Sequence, residues 1–137
     1  MLRQDQFIKA QLALAAWRHG HRYGGVQSML LVAHTIANRQ RAGWGEWLDV
    51  IDRIPLFSAR NLEEQPGGQP SLADPNFIRL LQEIDGIYDA SREDPTHGSL
   101  YWGDMSEITR DWFKQEIVAK PDVHPRTVNC ALLQCWK

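Results

Sequence analysis

A chain of 137 residues that is 43% hydrophobic and 23% charged can bury one core and hardly two, so a single domain over residues 1–137 is expected. Its net charge of −2, with no basic run and no placeable recognition motif, speaks against a nucleic-acid surface. No stretch approaches the roughly 18 to 20 uninterrupted apolar residues of a membrane span, and the amino terminus MLRQDQFIKAQ lacks the apolar core and cleavage site of a secretory signal, so a cytoplasmic chain with no membrane partner is expected.

The two apolar-periodic segments that open the chain are joined by a basic, glycine-containing elbow at residues 19–25, and the rest reads as built to pack on that pair. Over residues 4–18, Ile8, Leu12, Ala15 and Ala16 recur at helical spacing, widened by Phe7, Leu14 and Trp17. That pattern predicts a helix closing near Gly20 or Gly24-Gly25, where glycine can take the left-handed conformation. The next helix starts near Val26 and presents Met29, Leu30, Ala33, Ile36 and Ala37 on one face. It ends in a basic turn before Gly43. A short third helix carries Trp47, Leu48, Ile51 and Ile54 and stops at Pro55, which a helix interior does not tolerate. The polar stretch NLEEQPGGQPSLA, residues 61–73, reads as a surface loop.

Asp74-Pro75 marks a further helix start, with Asp as cap and Pro at the first helical position, and Phe77, Leu81, Ile84 and Tyr88 on its buried face. The turn-rich REDPTHG feeds a strand-like SLYW, a short helix is expected over residues 106–119, and TVNCALLQCW reads as extended and able to pair with SLYW in a small antiparallel sheet. Along a straight strand Cys130 and Cys135 would stand roughly 16 Å apart on opposite faces, too far to bridge, so two free thiols in a reducing compartment are expected. Charge is asymmetric as well. Residues 1–41 carry six Lys/Arg against Asp5 alone, and residues 74–116 carry ten Asp/Glu against four Lys/Arg, so the two blocks are expected to attract each other. The composite is mainly α with a small late β element, an α+β layout for which a lysozyme-like helical domain is one candidate among several.

VQSMLLVAHTIANRQRAGWGEWLDVIDRIPLFSARN contains a helix ending in Asn38-Arg39, then a turn, a short helix and a Phe-Ser. With DPTHGSLYW further on, it resembles the cell-wall hydrolase family that includes spore-cortex-lytic enzymes, whose later element reads Asp-Pro-Thr-Gly-Gly-Ala-Leu-Tyr-Phe. The resemblance covers roughly residues 12–136 apart from the loop at 65–73, and compact stand-alone chains of this kind are similar to proteins encoded by tailed bacteriophages. It implies a muralytic domain of lysozyme-like fold in which Tyr101 and Trp102 border a glycan cleft. It also implies one glutamate as general acid, at the end of the first helix in a Gly-Glu-Ala-Arg-Gly-Glu element. Cleaving a glycosidic bond requires a proton on the leaving oxygen, so that carboxyl group must be held protonated near neutral pH by an apolar pocket. Here the corresponding stretch is His19-Gly20-His21-Arg22-Tyr23-Gly24. Only Arg22 is kept, as a substrate-binding candidate, and the acid's position is Gly20. Residues 6–45 contain no Asp or Glu, so no shift of the alignment restores it.

Replacements for the acid are His19, His21, Glu46 and Asp94. An imidazolium with an ordinary pKa of about 6.5 can donate a proton. As an HxH pair His19 and His21 could instead hold a metal, yet no third ligand stands nearby, and surface histidines with no metal are expected. Glu46 starts the short third helix and reads as helix-start electrostatics; Asp94 reads as a turn cap. The six tryptophans are candidates for sugar stacking, with core packing as the alternative. The expected function is therefore a degenerate cell-wall-hydrolase-like domain, a pseudoenzyme serving as a structural or docking protein such as a bacteriophage virion component. Its expected partners are proteins of an assembly, with peptidoglycan as a further candidate and no cofactor. The alternative is an active peptidoglycan hydrolase, a muramidase or lytic transglycosylase with a relocated acid, since activity lives in the site and not in the fold. On the first reading no glycan cleavage is expected, and Gly20→Glu is expected to restore a trace at most, because the neighbouring Arg22 favours the ionised carboxylate and opposes the raised pKa a general acid needs.

Overall fold

The computed structural model of the protein describes residues 2–21, 25–54, 70–104, 125–130 and 133–136. Over these the chain is mainly helical with a small antiparallel sheet. Pro55, most of the loop over 61–73, the helix expected over 106–119, Arg22 and Gly24 lie outside the described residues.

Helix α1 (Leu2–Gly20) buries Ile8, Leu12, Ala13, Ala15 and Ala16. It closes at Gly20, one of the expected places, but Gly20 is not a left-handed terminator: it remains helical, and a Cβ there would lie 2.7 Å from the Cα of Met29 and 3.0 Å from its backbone nitrogen. Glycine is needed at that point because two helix backbones meet there. The second partner is α2 (Val26–Arg41), which buries Ser28, Met29, Leu31, Val32, Ala33, His34, Thr35, Ile36, Ala37 and Arg39. It touches α1, both remaining helices, β1 and β3, so it is enclosed on most sides. The predicted stripe was too narrow as a result, and Leu30 is only partly buried while Leu31 is 3% exposed. Each such aliphatic side chain contributes about 1.5 to 3 kcal/mol when fully removed from water. After Arg41 the chain reverses through Gly43, at φ +87°, and the Trp44 amide donates to the Arg39 carbonyl at 3.1 Å. That reversal brings the Trp44 ring back over α2.

In α3 (Trp47–Asp52) the buried residue is Val50, with Trp47 and Ile51 partly buried against the core; the helix ends at Asp52, short of the expected stop, so Ile54 packs on the core from beyond the C-cap Arg53. Helix α4 (Pro75–Tyr88) starts as expected: Asp74 accepts the Asn76 amide at 2.9 Å, and Pro75 stands in the first turn. It buries Phe77, Leu80, Ile84 and Ile87. Two of the four predicted positions are displaced by one residue, since Leu81 is 40% exposed and Tyr88 is turned toward α1 and α3. The Tyr88 hydroxyl donates to Asp5 at 2.9 Å and its ring stacks on Trp47. The basic and acidic blocks meet here, with Lys9 bonded to Asp85 at 3.1 Å. Because Asp85 is well exposed, that pair contributes little.

The sheet has strands β1 (Tyr101–Asp104), β2 (Pro125–Cys130) and β3 (Leu133–Trp136) in the order β1-β3-β2. β1 pairs antiparallel with β3 in a register that sets Tyr101 opposite Trp136 and Trp102 opposite Cys135, which is the pairing expected for SLYW and the tail. The tail is not one straight strand, however. It folds back on itself, with Cys130 opposite Leu133 and an irregularity between Pro125 and Asn129. Cys130 and Cys135 are thus diagonal positions of a hairpin, so the 16 Å separation of a straight strand does not apply. Diagonal neighbours still stand about 7 to 8 Å apart, longer than most disulfides span.

Candidate functional site

The last turn of α1 is where the resemblance places a catalytic carboxyl group. Gly20 is buried there with its α-carbon pressed on the Met29 backbone, and the Ser28 carbonyl oxygen would lie 3.1 Å from any Cβ. The position therefore has room for no side chain. The flanking histidines diverge. His19 tilts against Trp102 with ring centroids 6.0 Å apart, whereas His21 stacks flat on Trp17 at 4.3 Å and its Nδ1–H donates to the Trp17 carbonyl at 2.6 Å. A carbonyl only accepts, which fixes the proton on Nδ1 of His21. The described residues contain no group of three His, Cys, Asp or Glu able to hold a metal ion.

The two segments that carry the resemblance meet in space, at the carboxy-terminal turn of α2. The side-chain amide of Asn38 donates to Asp94 Oδ2 at 2.8 Å, to the Ser99 carbonyl at 3.0 Å and to Thr96 Oγ1 at 3.2 Å. Asp94 in turn organises its own loop. Its Oδ1 accepts the Thr96 amide at 2.8 Å and the Thr96 hydroxyl at 2.6 Å, and its Oδ2 accepts the Gly98 amide at 2.8 Å. The loop needs these fastenings because His97 takes a positive φ of 55°, a region costly for a residue with a Cβ, whereas Gly98 at 82° adopts it freely. Burial by itself would raise the Asp94 pKa, but the hydrogen bonds from Thr96, Asn38 and Gly98 outweigh it and the net shift is downward. A general acid needs the opposite shift, so Asp94 serves as the loop's fastener.

One residue further along α2, Arg39 is 2% exposed. Its Nε donates to the Leu100 carbonyl at 2.6 Å, and its guanidinium lies 4.7 Å from the Trp102 ring, 5.0 Å from Trp44 and 5.8 Å from Tyr101. Burial lowers its pKa to about 10, with Tyr101 opposing, so it stays charged at neutral pH. Stacking on aromatic faces suits a planar, weakly hydrated guanidinium, and this is why arginine rather than lysine can occupy the place. Trp102, a substrate-binding candidate by resemblance, is itself 3% exposed and belongs to the core. Tyr101 is half-buried, edge-on to Trp44, and Trp44 at 40% exposure is the aromatic that solvent reaches.

Glu46 is exposed at the amino-terminal cap of α3 and makes no side-chain capping bond, so it lacks the apolar pocket a general acid requires. The structure does not bring Glu46, Asp94 and the histidines together as one catalytic group. It instead assembles Asn38, Arg39, Asp94, Thr96, Ser99 and Leu100 into a polar and cationic junction. In the sequence Asn38-Arg39 belongs to the basic last turn of α2, and no local signal reveals its bonds because the partners lie 56 to 61 residues further on. A second feature is an open apolar groove of about 320 Å³ between α1 and α4, lined by Ala10, Leu14, Pro70, Leu72, Phe77 and Leu81. Compared with known proteins, the chain matches no family model, no curated protein and no solved structure.

Proposed function

We propose that this chain is a catalytically silent domain of the cell-wall-hydrolase type, lysozyme-like in descent, which acts as a structural or docking protein through contacts with proteins of an assembly such as a bacteriophage virion. The observation that carries the reading is Gly20. Where a hydrolase of the resembling family holds its acid, this chain has a helix–helix contact too close for any side chain. Support also comes from the bonding of Asn38-Arg39 to the DPTHGSLYW segment, because the two stretches that carry the resemblance form one junction. Such a junction can outlast the chemistry it once positioned, since fold and activity are separable. The direct test is incubation of the purified protein with peptidoglycan, beside an active muramidase, followed by analysis of the soluble fraction for muropeptides. The expected result is none. Release that disappears in Glu46→Gln would establish an active hydrolase with a relocated acid in place of this reading. Recovery of the polypeptide in purified particles, bound to protein and not to glycan, is the positive counterpart.

A further inference from the structure

His34 is 5% exposed, and three charged groups act on its ring: Asp94 from the loop, Arg41 from its own helix and Glu83 from α4. Its Nδ1 stands 3.8 Å from Asp94 Oδ1, outside hydrogen-bonding range. The gap has a cause in the bonding of the carboxylate. Asp94 Oδ1 already accepts two bonds from Thr96, and Oδ2 accepts from Asn38 and Gly98, so the roughly four acceptor positions of a carboxylate are filled. A neutral imidazole fits beside such a group. A protonated one brings a buried N–H and a positive charge that Asp94 can satisfy only by giving up Thr96, Gly98 or Asn38.

We propose that His34 is an acid-operated latch on the 94–99 loop: its protonation draws Asp94 away from Thr96 and Gly98, and the junction that holds β1 on α2 loosens. Burial is the largest influence on the ring and disfavours its charged form; Asp94 and Glu83 oppose this, Arg41 reinforces it, and the pKa lies below the ordinary 6.5. The latch is therefore closed above pH 6.5 and opens as the pH falls below it. Opening affects the loop first, because Asp94 stands beside His34 and also bonds the Thr96 and Gly98 amides that flank the positive-φ residue His97.

The test is amide hydrogen exchange at Thr96 and Gly98 in the full chain, from about pH 7.5 down to about pH 5, where histidine titrates. Protection at these two amides is expected to fall measurably across this range, while amides in the middle of α1 and α4 keep theirs. In His34→Gln the protection should be level across the same range. Amide exchange is preferred to tryptophan fluorescence because His19 lies against Trp102 and would alter its emission independently. Unchanged protection in the wild type, or an equal loss in His34→Gln, overturns the proposal. If that variant does not fold, imidazole nitrogen shifts of the wild type decide: His34 titrating without a matching change at Thr96 and Gly98 overturns it as well.

Discussion

At the last turn of α1 a missing Cβ lets the Met29 backbone approach, so replacing Gly20 acts first on packing. Gly20→Ala is expected to cost about 1 to 3 kcal/mol, the usual range for forcing atoms into a filled core, read as a lower urea midpoint with an unchanged slope. Gly20→Glu should cost more and restore no glycan cleavage. The trace of cleavage expected of this change is thereby corrected, because the place has no room for the carboxyl group. Asn38 is the residue whose loss should be felt at a distance. Asn38→Ala removes a donor from Asp94 Oδ2, the Ser99 carbonyl and Thr96 Oγ1 together. Leaving part-buried acceptors unsatisfied costs about 1 to 3 kcal/mol, expected here with a loss of near-UV dichroism from the Trp44, Tyr101 and Trp102 cluster. Neither role could be seen along the sequence. A glycine at a helix end looks like a terminator, and an asparagine bonded to a partner 56 residues away leaves no trace in any local pattern.

Whole helices were far more legible. α1, α2 and α4 follow from sustained apolar periodicity, and the Asp74-Pro75 start of α4 follows from the geometry of a first helical turn. Which residues of a helix are buried was read less well, for a physical reason. A period of 3.6 leaves neighbouring positions such as Leu80 and Leu81 nearly interchangeable, and only the partner decides between them: Leu80 goes to the core, and Leu81 lines the groove beside Ala10 and Leu14. In α2 the difficulty was reversed, since a helix enclosed by α1, α3, α4 and the sheet has no broad polar face to define a stripe. Leu31→Ala is accordingly expected to cost about 2 to 5 kcal/mol, as large-to-small changes in a core do. Leu30→Ala, at a partly buried position, should cost clearly less. Comparing the two urea midpoints checks the rotational setting of α2, and an equal loss in both would place the boundary of the core differently.

On the scale of the molecule, acid should act in two steps, and their order follows from the sign of each shift. His34 has a folded pKa below 6.5, so the unfolded chain binds its proton first as the pH falls, and the stability contributed by the neutral ring is complete above 6.5 and lost below it. Asp94 has a folded pKa below 3.8. Its contribution is present above 3.8 and disappears only at lower pH, as the carboxylate that fastens the loop takes up a proton. No helix among the described residues is long and apolar enough to cross a membrane. From the two shifts, a thermal midpoint followed against pH is expected to decline below 6.5 and to decline again below 3.8. Asp94→Asn should remove the second decline. It should also lower stability at neutral pH, because a carboxamide cannot accept from Thr96, Gly98 and Asn38 at once: its nitrogen is a donor facing donors. A second decline that persists unchanged in Asp94→Asn would mean that other carboxylates govern the acid limit and that the loop is fastened chiefly through Arg39 and Leu100.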